Sequence, residues 1–392
     1  MKTIDDANFA GKRVIVRVDF NVPMKDGEVA DDTRIRRAIP TISKLIDDGA
    51  QVILMSHLGR PKGEGYEAEF SLSKAAERLG NILNRPVIFA NDICGDKAID
   101  AISSMHDGDI CMLENLRFDK REKKNDEVFA SNLASLADVF VNDAFGTAHR
   151  AHASTAGIAN YLPSYAGYLL EKEVKTITGM LDNPSRPFVA ILGGSKVSDK
   201  IKVIENLLDK ADTIIIGGAM CFTFLKAQGA NVGKSLVEDD WCERALSMLA
   251  KAKENNVDFL LPDDVVCASA IEDGIETKIC DASNIDEDLM GLDIGPVTIE
   301  KYCKAIGSAS SAFWNGPAGV FEIDAFATGT KAIAEALANN ESADTIIGGG
   351  DSVAAVNKFG LSDKMTFIST GGGASMELVQ GDILPGVAPL KQ

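Results

Sequence analysis

Residues 188–200 have the sequence FVAILGGSKVSDK, and this stretch decides the fold class. It begins with a short continuous apolar run, Phe188–Leu192, which is typical of a strand buried on both faces of a sheet. Gly193 and Gly194 follow at once, and a polar segment then leads into a helical stretch, Lys200–Ala211. A strand, a glycine turn and a helix in this order indicate the βα units of a parallel α/β protein.

Similar units lie on both sides of this stretch, over almost the whole chain. Further strands are predicted at Arg13–Val18, Gln51–Met55, Val87–Ala90, Asp109–Leu113, Asp138–Val141, Thr213–Ile216, Phe259–Leu261, Ala312–Trp314, Thr345–Ile347 and Thr366–Ser369. Helices are predicted between them, for example at Ser71–Leu83, Val128–Ala137 and Lys331–Ala338. A chain of 392 residues is long enough for two or three domains. We therefore predict an α/β fold with two Rossmann-like domains, whose parallel β-sheets are covered by helices and which are joined by a hinge helix.

The residues that follow the strands differ between the two halves of the chain. In the first half they are polar or charged, as at Asp19, Asn21 and His57, whereas in the second half they are glycines. Ligands of open α/β sheets bind at the carboxyl ends of the strands, so this contrast predicts two sites of different chemistry. We place the boundary at a bridging helix near residue 170, which gives domains at 1–170 and 171–380.

The composition excludes several classes of protein. A net charge of −18 argues against binding to nucleic acids or anionic membranes, since both require a basic surface. The seven cysteines include no Cys-x-x-Cys pair, which argues against a zinc site or a redox dithiol. Acidic residues stand near the start of the sequence, where a signal peptide has an apolar run. We therefore expect a cytoplasmic protein with reduced thiols.

Four strand ends of the second half carry glycine pairs or triplets, at residues 193–194, 217–218, 348–350 and 371–373. Glycine lets the chain turn tightly and lets an anion approach the N–H groups at the start of the next helix. One such junction alone is better explained by tight packing of a helix on a strand, but four together favour a phosphate-binding domain. Asp351, directly after the third junction, is interpreted either as a helix cap or as a ligand of Mg²⁺.

Lys196 and Lys200 follow the first of these glycine pairs and are four residues apart. This spacing predicts that both project from one face of a helix start. Cations there oppose the helix dipole, so a purely structural role for them is poorly motivated. A phosphate group between the two ammonium groups removes the conflict, and we favour this interpretation.

Basic residues gather at the strand ends of the first half, although the protein is acidic overall. They are Arg34, His57, Arg60, Arg117, His149, Arg150 and His152. Several converging guanidinium groups predict a small polyanionic ligand, because each binds phosphate or carboxylate in a bidentate manner. Any one of these arginines alone is better explained by a surface salt bridge. Asp19 and Asn21 are candidates to bind a hydroxyl group or to orient an arginine, and the His149/His152 pair lacks a third ligand for a metal.

The sequence contains no Ser-His-Asp arrangement, no Gly-x-Ser-x-Gly motif and no dominant candidate for a general base. A nucleophile that is already an anion, such as a carboxylate or a nucleotide phosphate, needs no base to remove a proton. Catalysis then consists of positioning and charge neutralisation.

Six segments resemble motifs of the phosphoglycerate kinase family, in the family's order and over nearly the whole chain. They are Val16–Pro23 (VRVDFNVP), Ser56–Pro61 (SHLGRP), Glu114–Phe118 (ENLRF), Asn142–Arg150 (NDAFGTAHR), Trp314–Pro317 (WNGP) and Gly348–Ser352 (GGGDS). The family transfers a phosphoryl group between ATP and the carboxylate of 3-phosphoglycerate, giving 1,3-bisphosphoglycerate and ADP. The resemblance therefore implies a Mg²⁺-dependent kinase of glycolysis, whose chemistry needs no base.

The resemblance also implies roles for individual residues. It assigns phosphoglycerate binding to Asp19, Asn21, Arg34, His57, Arg60, Arg117 and Arg150. It assigns nucleotide binding to Gly193, Gly194, Lys200, Gly217, Gly218, Gly291, Asn315, Glu322, Gly348, Gly349, Gly350, Asp351 and Ser352, with Asp351 on Mg²⁺ and Glu322 on the ribose. It assigns catalysis to Arg34, Lys196, Lys200, Gly372 and Gly373. The C-terminal segment 381–392 is expected to pack back onto the first domain.

Two other functions stay open at this point. A nicotinamide-dependent (NAD) dehydrogenase also uses glycine junctions on a parallel sheet, but no Gly-x-Gly-x-x-Gly with a following acidic residue opens either half. A non-catalytic anion-binding protein is disfavoured by the presence of both lysines and Asp351. The partners implied are ATP or ADP with 3-phosphoglycerate or 1,3-bisphosphoglycerate, and we expect a monomer that binds neither nucleic acid nor membranes.

Overall fold

The computed structural model describes residues 1–391, which form two compact units. The first unit contains Met1–Lys175 and the residues from Ile383 onward, and the second unit contains Thr176–Asp382. Each unit is built on its own parallel sheet of six strands. Each helix within residues 1–391 is too short or too polar to cross a lipid bilayer.

The first unit has a central sheet and a small hairpin. Its strands are β1 (Arg13–Arg17), β2 (Met24–Lys25), β3 (Glu28–Val29), β4 (Gln51–Met55), β5 (Ile88–Phe89), β6 (Ile110–Met112), β7 (Val139–Asn142) and β8 (Ser164–Ala166). Its helices are α1 (Thr33–Asp47), α2 (Ser73–Leu83), α3 (Asp96–Ser103) and α4 (Glu127–Ser135), and α5 (Tyr168–Asp182) starts in this unit. The sheet order is β5-β6-β4-β1-β7-β8 with every pair parallel, and β2 pairs with β3 in an antiparallel hairpin.

Strand β1 shows why the strands of this sheet are apolar at successive positions. Val14 and Val16 pack into one hydrophobic cluster, which also contains residues of α1 and α2. Ile15 lies between them in the sequence but packs into a second cluster, with residues of α3 and α4. Helices cover both faces of the sheet, so neighbouring side chains are all buried, and each contributes about 1.5–3 kcal/mol.

The C-terminal residues are hydrogen-bonded within the first unit. The N–H of Lys2 donates to the carbonyl of Leu390 at 2.8 Å. The side-chain amide of Asn142 donates to the carbonyl of Gly386 at 2.9 Å, and the N–H of Gly386 donates to the carbonyl of Ala148 at 2.8 Å. These bonds hold the end of the chain beside the carboxyl end of β7.

The second unit has a longer series of elements. Its strands are β9 (Phe188–Leu192), β10 (Thr213–Ile216), β11 (Asn231–Val232), β12 (Asp258–Leu260), β13 (Asp264–Ala268), β14 (Lys278–Asp281), β15 (Asn284–Ile285), β16 (Met290–Ile294), β17 (Ser311–Asn315), β18 (Asp344–Ile347) and β19 (Phe367–Ile368). Its helices are α6 (Ile201–Leu207), α7 (Met220–Ala227), α8 (Cys242–Glu254), α9 (Pro296–Gly307), α10 (Thr328–Asn339), α11 (Gly350–Lys358) and α12 (Gly373–Val379). The main sheet has the order β12-β10-β9-β17-β18-β19 with every pair parallel.

The second unit also contains an antiparallel sheet that the sequence analysis did not predict. Its order is β14-β13-β16, and it lies between β12 and α9 in the chain. Strand β14 is mostly exposed, with Cys280 as its only buried residue. Such a strand lacks the continuous apolar run that identifies the strands of the main sheets. The omission matters because β16 lines a cavity of the candidate site.

Candidate functional site

Polar side chains follow four neighbouring strands of the first unit, where each strand ends. They are Asp19 and Asn21 after β1, His57 after β4, Arg117 after β6 and Arg150 after β7. The strands β6, β4, β1 and β7 are consecutive in the sheet, so these residues lie along one edge of it. Arg34 joins them from the first turn of α1, where its Nη1 donates to Asp19 Oδ2 at 2.8 Å. This edge is where a parallel sheet places its ligands.

Arg117 is held in place by the loops around it. Its N–H donates to Asn115 Oδ1 at 3.0 Å, and its Nη1 donates to the carbonyl of Gly59 at 2.8 Å. The N–H of Gly59 in turn donates to Asn21 Oδ1 at 2.9 Å. Burial, together with the neighbouring charge of Arg17, lowers the pKa of Arg117 to about 10. Arg117 therefore stays a cation at neutral pH.

His57 is a neutral hydrogen-bond donor. Its Nδ1 lies 3.0 Å from Arg17 Nη2, and because a guanidinium group can only donate, Nδ1 must be the acceptor. The ring proton is therefore on Nε2. Burial lowers the pKa of His57 well below its usual value, and the charges of Arg17 and Arg117 act in the same direction. The sequence analysis grouped His57 with the basic residues, whereas the contact with Arg17 and the lowered pKa favour a neutral ring.

The predicted arginines differ in whether they contact the other residues at this edge of the sheet. Arg34, Arg117 and Arg150 all lie close enough to His57 to depress its pKa. We call these three residues the arginine cluster. Arg60 is exposed, and no contact described within residues 1–391 links it to the cluster. The structure thus brings three of the four predicted arginines together.

The histidine pair after β7 does not form a metal site. His149 Nε2 accepts a hydrogen bond from Arg150 Nε at 3.1 Å. His152 is buried, with its Nδ1 3.8 Å from Glu122 Oε1, and burial lowers the pKa of His152 to about 4. Over residues 1–391, no group of three His, Cys, Asp or Glu side chains is placed to hold a metal ion.

Arg17 is the main functional candidate that the sequence analysis missed. It is the last residue of β1 and is 1% exposed. Its Nε donates to Ser154 Oγ at 2.9 Å, and its Nη2 donates to His57. The available signal is an arginine inside a strand that is otherwise apolar on both faces, since a buried charge needs specific partners.

A polar cavity of about 310 Å³ lies at the carboxyl ends of strands in the second unit. Three of the four glycine junctions contribute to its walls, as do both predicted lysines. The lining includes Gly193, Gly194, Lys196, Lys200, Asn315, Gly349, Gly350, Asp351, Ser352, Gly372 and Gly373. This arrangement places backbone N–H groups and positive charge around a space large enough for phosphate groups.

The two lysines line this cavity without sharing a helix start. Helix α6 begins at Ile201, so Lys196 lies in the preceding turn and Lys200 stands at the N-cap position. The prediction that both project from one face of a helix start is therefore wrong. The chain makes a longer turn after β9 than the spacing suggested, and this turn brings both lysines to the same cavity.

Lys200 is held by a chain of polar contacts. Its Nζ donates to Asn315 Oδ1, and Asn315 Nδ2 donates to the carbonyl of Gly348 at 2.7 Å. Burial lowers the pKa of Lys200, while the carboxylates of Asp199 and Asp351 oppose this effect. An ammonium group that is partly removed from water interacts more strongly with an anion than one on the open surface.

The third glycine junction opens helix α11. Gly349 has a φ of 86°, in the left-handed region that favours glycine, and it occupies the N-cap position ahead of Gly350. Asp351 therefore lies in the first turn, and its interpretation as the helix cap is wrong. Ser352 is fully buried, and its Oγ accepts a hydrogen bond from the N–H of Gly316 at 2.6 Å.

An apolar cavity of about 350 Å³ adjoins the polar cavity and shares Gly194, Ser195 and Asp351 with it. Its other lining residues include Gly218, Phe222, Leu236, Ile271, Met290, Gly291, Ala318, Val320 and Glu322. A Cβ atom at Gly291 would overlap the ring of Phe222. An apolar space beside a polar, phosphate-sized one suits a nucleoside joined to its phosphates.

Gly217 and Gly348 are absent from the lining of both cavities described above. The N–H of Gly217 donates to the carbonyl of Leu192 at 2.8 Å, and a Cβ there would lie 3.0 Å from the Cα of Ala318. Gly348 supplies the carbonyl that holds Asn315. Gly217 therefore permits close packing of its turn, and Gly348 holds the Asn315 side chain, while their predicted part in nucleotide binding stays a prediction.

The fold and these sites define a class of enzyme. One α/β unit presents cations and N–H donors for a small polyanion, and another presents glycine turns and lysines beside an apolar cavity. The groups gathered at both sites neutralise negative charge, which is what phosphoryl transfer requires. The class is that of nucleotide-dependent phosphotransferases acting on a small anion.

Comparison with known proteins gives the family. Residues 4–382 match the family model described as phosphoglycerate kinase. The chain is 57% identical over 392 residues to the phosphoglycerate kinase of Chloroherpeton thalassium, with 99% of this chain and 98% of that protein covered. It is 56% identical over 391 residues to that of Thermosipho africanus, with 99% and 97% covered. The solved structure of phosphoglycerate kinase from Coxiella burnetii is 44% identical with a TM-score of 0.92, covering 100% of this chain and 98% of that one. The chain belongs to the phosphoglycerate kinase family.

This membership confirms the predicted fold class and the predicted activity. The activity is phosphoryl transfer between ATP and the carboxyl group of 3-phosphoglycerate, a step of glycolysis. The dehydrogenase and the non-catalytic anion-binding protein are thereby excluded. The roles of individual residues stay predictions.

Proposed function

We propose that the second unit binds the nucleotide across its two cavities and that the first unit binds 3-phosphoglycerate at the arginine cluster. The observation that carries the nucleotide assignment is the partly buried Lys200 ammonium group beside glycine turns in the polar cavity. Two ammonium groups and the N–H groups of the glycine turns line this cavity beside the carboxylates of Asp199 and Asp351, an arrangement that suits phosphate groups together with a cation.

The adenosine group would occupy the apolar cavity. Gly218 and Gly291 line this cavity, and the exposed carboxylate of Glu322, also in its wall, would accept hydrogen bonds from ribose hydroxyl groups. The phosphates would then enter the polar cavity. Lys196, Lys200 and the N–H groups of the glycine turns would bind them there.

Mg²⁺ fits the polar cavity through Asp351. The ion is usually bound by one or two carboxylates together with phosphate oxygens and water, and the exposed carboxylate of Asp351 lies in the wall of a phosphate-sized cavity, with Asp199 as a second carboxylate there. When bound, the ion would neutralise part of the phosphate charge. Asp351 would hold it, and Lys200 would act on the same phosphates.

The arginine cluster would bind the phosphate and carboxylate groups of 3-phosphoglycerate. His57 would contribute a neutral Nε2–H donor. Asp19 and Asn21 would bind the hydroxyl group, since both stand beside the cluster. The ion pair between Arg34 and Asp19 leaves Arg34 40% exposed, so its guanidinium group is accessible to a ligand.

The reaction would proceed without a general base. A carboxylate oxygen of 3-phosphoglycerate attacks the γ-phosphorus of ATP, a new oxygen–phosphorus bond forms, and the bond to the β-phosphate oxygen breaks to release ADP. Arg34, Lys196 and the N–H groups of Gly372 and Gly373 would stabilise the charge on the transferring group. Each reactant is assigned to its own unit, so we further propose a hinge-bending closure about α5 that aligns the reacting atoms and excludes water.

Substitution of Lys200 tests the nucleotide assignment. Lys200→Ala removes a charge-assisted contact worth about 1.5–3 kcal/mol, so KM for ATP is expected to rise roughly 10- to 150-fold while kcat falls. A coupled assay with ATP, Mg²⁺ and 3-phosphoglycerate measures both constants. Lys202→Ala is the matched control, because Lys202 is exposed on α6 and pairs with Asp382 at 3.7 Å. Wild-type kinetics in Lys200→Ala would show that Lys200 does not contact the nucleotide.

We also propose a monomeric, cytoplasmic enzyme. All seven cysteines are free thiols, which is consistent with a reducing compartment. Small-angle scattering tests both the monomer and the closure. The forward intensity should correspond to 41.7 kDa, and the radius of gyration should decrease when both substrates are present. Absence of compaction would contradict the closure, and a doubled mass would contradict the monomer.

A further inference from the structure

A buried polar network ends at His57, and its other members, Arg17, Ser154 and Glu122, have no role in the proposed function. Its centre is the guanidinium group of Arg17, which donates to Ser154 Oγ at 2.9 Å, to the carbonyl of Val18 and to His57 Nδ1 at 3.0 Å. These three acceptors lie on different segments of the chain. The position of the Arg17 guanidinium therefore fixes which ring nitrogen of His57 carries the proton.

Glu122 lies at the other end of this network. It is 1% exposed. Its Oε1 accepts from Ser154 Oγ at 2.5 Å, and its Oε2 accepts from Ser154 N–H at 3.1 Å. The main-chain carbonyl of Glu122 also accepts from the N–H of Ala153 at 3.0 Å. Ser154 is thus held firmly by Glu122 and presents its Oγ lone pair to Arg17.

Charge links the two ends of the network. Burial lowers the pKa of Arg17, and Glu122 is the carboxylate that opposes this most strongly. Burial raises the pKa of Glu122, and Arg17 is the cation that opposes this most strongly. A buried arginine needs a counter-charge to keep one position, and Glu122 supplies it through Ser154.

We propose that Glu122, acting through Ser154, is a positioning residue for phosphoglycerate binding: it anchors Arg17 so that Arg17 holds His57 with its proton on Nε2, facing the ligand. This inference rests on the proposed role of His57 in binding phosphoglycerate. A histidine of the opposite tautomer would present a lone pair to an anion, and the contact would become repulsive.

The tautomer of His57 can be measured without any substrate. The protein has four histidines, so nitrogen-15 labelling of histidine gives few signals, and the His57→Gln variant identifies those of His57. In the wild type, Nδ1 of His57 should be unprotonated and Nε2 protonated near neutral pH. In Glu122→Gln the Nδ1–H form of His57 should appear. KM for 3-phosphoglycerate should rise about tenfold, as expected when a residue that orients a binding side chain is lost. KM for ATP should stay unchanged.

Two further variants make the outcome decisive. Ser154→Ala removes the acceptor of Arg17 Nε without removing a charge, and it should give the same two changes if Glu122→Gln does not fold. Glu127→Gln, an exposed carboxylate in the first turn of α4, is the matched control and should leave both readouts unchanged. An unchanged His57 signal in Glu122→Gln and Ser154→Ala would overturn the proposal. A changed signal with an unchanged KM for 3-phosphoglycerate would also overturn it.

The proposed function fails in a different way. If His57→Gln has a wild-type KM for 3-phosphoglycerate, His57 does not bind this substrate, whatever its tautomer in the other variants.

Discussion

Asp143 offers a test of how the stability of the first unit depends on pH. It directly follows β7, and its Oδ1 accepts the N–H groups of Leu169 and Leu170, at 2.9 and 3.3 Å, in the first turn of α5. Its Oδ2 is buried and has no hydrogen-bonding partner within residues 1–391. Burial raises the pKa of Asp143 from 3.8 to about 7. The carboxyl group is therefore half protonated near neutral pH.

The direction of the effect on stability follows from proton binding. Between about pH 4 and pH 7 the folded protein holds a proton at Asp143 that the unfolded chain has released, so the contribution of this group to the free energy of unfolding falls as pH rises. One pKa unit corresponds to about 1.4 kcal/mol. The shift from 3.8 to about 7 therefore amounts to roughly 4 kcal/mol over the whole range, of which about 2 kcal/mol is lost between about pH 5.5 and pH 8.

Asp143→Asn removes this dependence. Asparagine has the same shape, keeps an oxygen acceptor for Leu169 and Leu170, and does not ionise. The stability of the variant relative to wild type should increase by about 2 kcal/mol from about pH 5.5 to pH 8. Both tryptophans, Trp241 and Trp314, belong to the second unit, so hydrogen exchange of amides in β7 and α5 is the suitable probe of the first.

Asp138→Asn is the control for this measurement. Arg13, which pairs with Asp138 at 2.7 Å, lowers the pKa of that carboxyl group. Asp138 therefore stays ionised over this pH range in both the folded and the unfolded state, and its variant should differ from wild type by a constant amount. If the difference for Asp143→Asn were equally constant, the raised pKa of Asp143 would be refuted.

Three other substitutions separate the roles of individual site residues. Arg34→Ala should lower kcat far more than it raises KM for 3-phosphoglycerate, if its contact strengthens in the transition state as we propose. Arg36→Ala, on the same helix and paired with Asp32, is the control, and equal losses in kcat and binding would contradict this role. Gly291→Ala should raise KM for ATP and leave KM for 3-phosphoglycerate unchanged, since the new Cβ meets the buried ring of Phe222 at a cost of about 1–3 kcal/mol. An unchanged KM for ATP would show that this part of the cavity wall does not contact the nucleotide. Asp351→Asn should raise the Mg²⁺ concentration needed for half-maximal rate, measured by titration after chelation, and an unchanged requirement would exclude Asp351 as a ligand.

Most strands of the two main sheets were predictable because both faces of each sheet are buried. The edge strand β8 was missed, since it has only three residues and only Ala166 of them is buried. Phe188–Leu192, Gln51–Met55 and Thr213–Ile216 are found with the predicted bounds, since continuous apolar runs ended by glycine or polar residues leave little ambiguity. The antiparallel sheet was not predictable in the same way. Strand β14 has three exposed residues, so its sequence resembles that of a loop.

The candidate site was predictable where one residue type carries the chemistry by itself. Glycines that recur at strand ends and arginines that recur after strands both indicate anion binding, and most of them line the cavities or form the cluster. The tautomer of His57 was not predictable, because it depends on Arg17, which is 40 positions away in the sequence. The placement of Lys196 depends on the length of a turn, which the residue spacing alone does not determine.

The acidity of the whole protein and the binding of anionic substrates are compatible because the carboxylates near the arginine cluster are already occupied. Asp19 accepts from Arg34, and Glu122 accepts from Ser154 beneath Arg17. Each carboxylate thereby fixes a cation in place and presents little free negative charge to a ligand. Exposed acidic residues farther than about 8 Å from the cluster contribute weakly there, because charges at that distance are largely screened at physiological ionic strength. The local pairing of charges, and not the net charge of −18, therefore determines which ligand the first unit attracts.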